Sequence, residues 1–387
     1  MRGRWFFASL FLLLLFCTLP LGVFAAGGEA TDGESIASED TPAGASVCAD
    51  ALLEEFRTLL PEGFSPDMTD ASALGETFGA RSLFSAILSA AQGAKGEILS
   101  FFFLLLGSAL FFSLVGVLRD GVAGTLGEVC EAAVSSVLAV AVFSRLRIVT
   151  EETVVVLTDA GRFFGGLLPF LGTVTLAGGG AEVAASQAVT MELTLSTLNA
   201  LTDGFLLPLA SAMFAFGLLD AVGTGGGSLS SLAGSLRRLF LWGLGIVTAV
   251  FTTALSLQSV IASAADSAAM RAVRVAVTDM IPLVGGTVSG ALAATASGLL
   301  YVKSVVGATS IAALLFLALP YLVRLLLYRA AFGVVIGFLS YTGARTGERV
   351  FTAFRSALDA LTALTALSLL LYIFEIVCFV KCGVAIA

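Results

Sequence analysis

The sequence predicts an all-α protein, a polytopic transmembrane helical bundle, and three observations carry that reading. First, 58% of the 387 residues are hydrophobic and 12% charged, with a mean hydropathy of +1.00; a water-exposed domain of that composition would aggregate. Second, apolar runs of about 20 residues, enough to cross about 30 Å of hydrocarbon, recur after residue 97 without the alternation a strand barrel needs. Third, two proline-marked stretches recur in register. Leu168-Pro169-Phe170-Leu171-Gly172 is echoed by Ile281-Pro282-Leu283-Val284-Gly285-Gly286, the prolines 113 positions apart, and Leu207-Pro208-Leu209 by Leu319-Pro320-Tyr321, 112 apart. Near-equal offsets inside apolar sequence predict an internal duplication of about 110 residues.

In chain order, residues 1–25 read as a signal peptide: a basic start (Arg2, Arg4), an apolar run from Trp5 to Phe16, Pro20, and a small residue, Ala25, at the cleavage position. Residues 26–96 form an acidic extracytoplasmic region. Between residues 27 and 80 there are twelve acidic side chains against one base, Arg57, so the remaining chain is mildly basic. That distribution speaks against nucleic-acid binding and against docking of the tail on anionic lipid. Residues 27–46 are too polar to bury a core. Leu52, Leu53, Phe56, Leu59 and Leu60 then recur at helical spacing until Pro61, and Ser82 to Ala91 gives a second short amphipathic piece. These two pieces form either a small helical cap on the bundle, the favoured expectation, or a docking surface for an extracytoplasmic partner.

Residues 97–127 hold the first transmembrane helix, Glu97 to Leu118, and a loop. Residues 128–235 are membrane repeat 1, and residues 236–387 are repeat 2 with a C-terminal helix, Leu358 to Val380. Each copy reads as a spanning helix, a surface helix (Thr150 to Gly165, and Ala264 to Met280), a proline-glycine hinge, a small-residue helix and a long helix broken by proline. Proline removes a backbone donor and clashes with the preceding turn. Pro169 with Gly172, and Pro282 with Gly285, Gly286 and Ser289, are therefore expected to break or kink their helices. Broken helices at matching places of two repeats point to a pathway near the repeat interface.

Ionisable residues in the apolar segments are the other candidates, because each costs about 2.5–3.5 kcal/mol at a helix centre and so should face protein or water. They are Glu192, Asp203, Asp220, Lys303, Arg324, Arg329 and Glu375. Glu192 follows Pro169 at nearly the same offset as Lys303 follows Pro282, so a Glu192–Lys303 pair across the repeats is expected.

The chain contains no histidine, which excludes Ser-His or Cys-His nucleophile pairs and His-ligated zinc or haem. Gly93-Ala94-Lys95 lacks the glycine spacing and the following Ser/Thr of a phosphate-binding loop. The five cysteines are scattered, and Cys378 and Cys382 read as small apolar filler. No catalytic, metal-binding or cofactor-binding residues are assigned, and the protein is not expected to be an enzyme.

From Val273 to Gly307 the sequence resembles the stage III sporulation protein AE family of endospore-forming bacteria, through Pro282, Gly285-Gly286, Ser289, Leu299-Leu300, Lys303 and Gly307. The leader, the acidic tail and the length are similar as well. The resemblance implies a multi-pass protein of the mother-cell membrane around the forespore. It would belong to a channel or secretion-like complex, with a separate secretion-type ATPase, other membrane subunits and intermembrane ring proteins as partners. Two other readings stand beside it: an autonomous secondary transporter using carboxylates such as Glu192 or Asp220, and a scaffold that only anchors partners.

Overall fold

The computed structural model describes residues 53–54, 56–61, 80–121, 125–177, 181–202, 204, 207–222, 232, 234–251, 253 and 285–381. No strand occurs among them. The helices are α1 (Ala80–Gly93), α2 (Lys95–Gly121), α3 (Thr125–Ala177), α4 (Ala181–Leu201), α5 (Leu207–Val222), α6 (Gly234–Phe251), α7 (Gly285–Thr342) and α8 (Arg345–Lys381). Five helical stretches among the described residues are long and apolar enough to cross a membrane: Lys95–Val117, Ala133–Leu176, Gly234–Phe251, Val302–Thr342 and Arg345–Val380. The leader, most of the acidic region, Asp203, the second surface helix and Pro282 lie outside the described residues.

Length decides how these helices pack. At 1.5 Å per residue, the 53 residues of α3 and the 58 of α7 extend about 80 and about 87 Å, more than twice the thickness of a hydrocarbon core. Each long helix therefore contributes to two apolar layers stacked end to end. One layer joins Phe101, Leu105 and Phe112 of α2, Val142 and Leu146 of α3, Phe332 and Leu339 of α7, and Phe351 and Phe354 of α8. The other joins Phe163, Phe164 and Leu167 of α3, Met191 and Leu198 of α4, Val302 to Ala318 of α7, and Leu367 to Phe379 of α8. Aromatic rings knit the first layer, with Phe101 edge-on to Tyr328 at 4.9 Å and to Phe332 at 5.6 Å.

The hairpin of α7 and α8 spans both layers. Its turn follows from Gly343, whose φ of 76° lies where only glycine is unstrained. The Ala344 N–H reaches the Leu339 carbonyl at 3.1 Å, closing the end of α7 as a Schellman motif. Phe56, in a short helical stretch that stops before Pro61, is fully buried and packs on Phe170 with ring centroids 5.4 Å apart. The described part of the acidic region thus covers one layer, as a cap would.

Two expectations are corrected. Thr150 to Gly165 is not a separate surface helix but the middle of α3, with Thr153, Leu157, Ala160, Phe163 and Phe164 in the interior. The charges that suggested an interface include Glu152, which Arg324 of α7 meets. α3 also runs on through Pro169 and α7 through Pro320, so neither proline ends its helix. A proline removes one hydrogen bond and crowds the carbonyl four residues back. At Pro169 that residue is Gly165, which has no side chain to add to the crowding. Pro208 and Pro320, at matched offsets, play different parts: Pro208 is the second residue of α5, and Pro320 lies inside α7.

Candidate functional site

Where one apolar layer gives way to the next, charged side chains from three helices meet. Arg324 of α7 places Nη1 3.2 Å from Glu152 Oε2 on α3 and 3.8 Å from Glu97 Oε2 on α2. One turn along α7, Tyr328 donates to Glu97 Oε1 at 2.7 Å. Tyr321 donates to the Val149 carbonyl at 2.7 Å and lies 2.6 Å from the Thr153 hydroxyl. One guanidinium serves two carboxylates, all three about one-third exposed, so the cluster is a partly solvated polar belt rather than a buried pair.

Deeper in the second layer are two charged residues with little access to solvent. Lys303 is 6% exposed, and its ammonium sits 4.4 Å from the ring centre of Phe379, a cation–π contact. Glu375, one turn before Phe379 on α8, is 2% exposed and accepts from Thr194 of α4 at 3.5 Å. Neighbouring Thr309 and Ser310 of α7 are fully buried, with hydroxyls that have no protein partner. A carboxylate and an ammonium kept in such surroundings are costly to insert, and α7 and α8 bring them onto adjoining turns.

A cavity of about 330 Å³ opens between α3, α4 and α8. Its polar lining comes from Thr158, Arg162, Asn199, Thr202, Ser368 and Tyr372. Gly161 makes room for it: a Cβ there would stand 3.3 Å from Tyr372 Oη and 3.5 Å from Asn199 Oδ1. Ser368 is buried and its Oγ has no protein partner, so the cavity presents an unsatisfied hydroxyl. No group of three His, Cys, Asp or Glu side chains gathers among the described residues.

Of the residues singled out from sequence, the structure brings Lys303 and Glu375 onto adjoining turns of the α7–α8 hairpin. Glu192 is exposed on α4, whereas the buried Lys303 lies over Phe379 in place of the expected Glu192–Lys303 pairing. Asp220 lies in α5; Gly285, Gly286 and Ser289 open α7; Pro169 and Gly172 lie within α3, Pro169 with its side chain exposed. Sequence reasoning missed Glu97, Glu152, Tyr321, Tyr328, Ser368 and Tyr372. Their only signal is a partner far along the chain or on another helix, which no local pattern displays.

The family model for stage III sporulation protein AE matches residues 76–383, which takes in every element from α1 to α8. No curated protein and no solved structure matches the chain. Because the match extends over most of its length, this chain belongs to the stage III sporulation protein AE family, a family of sporulation-associated membrane proteins.

Proposed function

We propose that this protein is a non-enzymatic membrane subunit of the channel or secretion-like complex that links mother cell and forespore during endospore formation. The observation that carries this reading is a set of charges and a cavity of mixed polar and apolar lining kept inside a multi-pass bundle of a sporulation family. In this reading the protein sits in the mother-cell membrane with its acidic region outside the cytoplasm. A separate secretion-type ATPase supplies the energy, because the chain has no phosphate-binding loop of its own. Other membrane subunits, intermembrane ring proteins and further copies of this chain complete the assembly. Glu375, Lys303, Ser368 and the α3 and α7 segments around Pro169 and Gly285-Gly286 line or gate the passage.

The test is a chromosomal deletion complemented by an affinity-tagged copy, followed through sporulation. The expected result is that a late forespore-specific reporter is lost on deletion, and that the tagged protein co-purifies with the ATPase and ring subunits. Normal late expression in the deletion strain would sink the proposal. So would transport of a small molecule by the purified protein alone with no subunit retained, which is the transporter's signature.

A further inference from the structure

On one side of the bundle, among the described residues, the arginines at the layer boundary outnumber the acid they meet. Asp359 of α8 faces Arg329 of α7, Nε 2.8 Å from Oδ1, and Arg237 of α6, Nη2 3.9 Å from Oδ2. Arg355 lies one turn earlier on α8. Its guanidinium lies along α7 at Gly333, where a Cβ would stand 3.6 Å from Nη1. Among the described residues, three guanidiniums thus gather around one carboxylate. The Arg329–Asp359 contact is close but off hydrogen-bonding geometry, since both Nε and Oδ1 lack a hydrogen-bond partner. The single acid leaves the arginine donors undersaturated.

The cluster has an outlet. The Arg237 side chain is 52% exposed against 14% for Arg329, so the cluster opens outward at α6 and is walled by α7 and α8 behind. From Arg237, α6 runs into the second apolar layer. Phe240 and Leu244 face inward, and Leu239, Leu241, Trp242, Ile246 and Val250 face outward, exposed. In a membrane protein such a face is covered by acyl chains, and an exposed tryptophan one turn past the arginines belongs at headgroup depth. Charge at the mouth of an apolar helix face has the shape of a phospholipid, with the phosphate at the arginines and the tails along α6. Basic pockets between transmembrane helices recognise anionic headgroups in this way, and arginine does so with paired donors.

The geometry points to a binding site for one anionic phospholipid, its phosphate held by Arg237, Arg329 and Arg355 and its acyl chains lying on α6. Asp359 aligns the arginines and leaves them the charge to bind it. The site is independent of whether the protein conducts anything.

Native mass spectrometry of the detergent-solubilised full chain tests this, with phosphatidylglycerol and phosphatidylcholine each added to delipidated protein. The wild type is expected to retain about one phosphatidylglycerol, and Arg237→Gln combined with Arg355→Gln to lose at least tenfold of that occupancy. Phosphatidylcholine should be retained weakly by both. If the double variant is not monodisperse, Arg237→Gln alone carries the comparison, because its side chain is half-exposed and supports little packing. Equal phosphatidylglycerol retention by wild type and variant overturns the site. So does full displacement of the lipid by millimolar inorganic phosphate, which would make this a free-anion site, or stable occupancy of the arginines by an acidic protein subunit that excludes lipid.

Discussion

Gly307 sets how closely α7 and α8 can approach. It is buried, and a Cβ built on it would overlap Val380 Cγ2 and lie 3.6 Å from Val380 Cβ and 3.9 Å from Ile376 Cγ2. The valine cannot swing clear, because a β-branched side chain in a helix has one strongly preferred rotamer. Gly307→Ala must therefore push the two helices apart. Overpacking of this kind costs about 1–3 kcal/mol, roughly a five- to 140-fold fall in the folding equilibrium constant at about 1.4 kcal/mol per tenfold. Val380→Ala removes the methyl that is struck. On its own it costs at most about 1.6 kcal/mol, two methyl groups at about 0.8 each, and less because Val380 is only partly buried. Together the two changes should cost less than their sum, with a coupling of about 1–2 kcal/mol, within the range for residues in contact. The assay is SDS-induced unfolding of the purified protein in mixed micelles, followed by circular dichroism, for all four corners of the cycle. A Gly307→Ala cost below about 0.5 kcal/mol, the size of the departures from additivity seen at independent sites, would show that this contact does not limit the approach. Strict additivity of the pair would show the same.

Arg324→Gln leaves Glu97 and Glu152 facing each other without their cation. Partial exposure screens them, so the expected cost is about 1 kcal/mol in the same assay, with recovery when Glu97→Gln is added. Gly343→Ala places a Cβ at a φ of 76° and should cost about 1–2 kcal/mol, which the SDS midpoint would register. Glu375→Gln keeps an acceptor for Thr194 and should leave membrane abundance unchanged by immunoblot while lowering the late forespore reporter. Equal loss of abundance and reporter would assign Glu375 a structural part alone.

Much of the fold is legible in the sequence because hydrophobicity and helix punctuation are local properties. Glu97 to Leu118 falls inside α2, Leu358 to Val380 inside α8, and the stop at Pro61 is where the spacing puts it. The sporulation family is legible through Pro282 to Gly307, and the matched residues 76–383 enclose that stretch. What is hidden is nonlocal. Glu151, Glu152, Asp159 and Arg162 make Thr150 to Gly165 look like a membrane-surface helix, because nothing nearby reveals that Arg324 arrives to meet Glu152 from 172 positions away. The break expected at Pro169 and Pro320 fails for a related reason. A missing backbone bond is a local defect, and whether the helix continues depends on the packing around it, which at Pro169 is provided by Phe56, Phe170 and Leu171 in the second layer.

The ion pairs at the layer boundary do something that apolar packing cannot. Leucine, valine and phenylalanine faces as long as those of α7 and α8 fit one another nearly as well after a slip of one helical turn, about 5.4 Å. Such a slip would part Arg324 from Glu152 and Arg329 from Asp359 at once, breaking the polar contacts held between the two apolar layers. Setting register is the best-attested use of polar groups between packed helices, and here a single level of partly solvated charges fixes α2, α3, α6, α7 and α8 against each other. Exchanging Arg329 and Asp359 should then preserve the fold, since the pair keeps its level. Arg329→Asp alone should lower the yield of monodisperse protein several-fold, because it sets two carboxylates face to face at the depth where the helices are aligned. If the exchanged pair behaves no better than Arg329→Asp, the belt does not set the register, and the glycine contacts at Gly307 and Gly347 must do so instead.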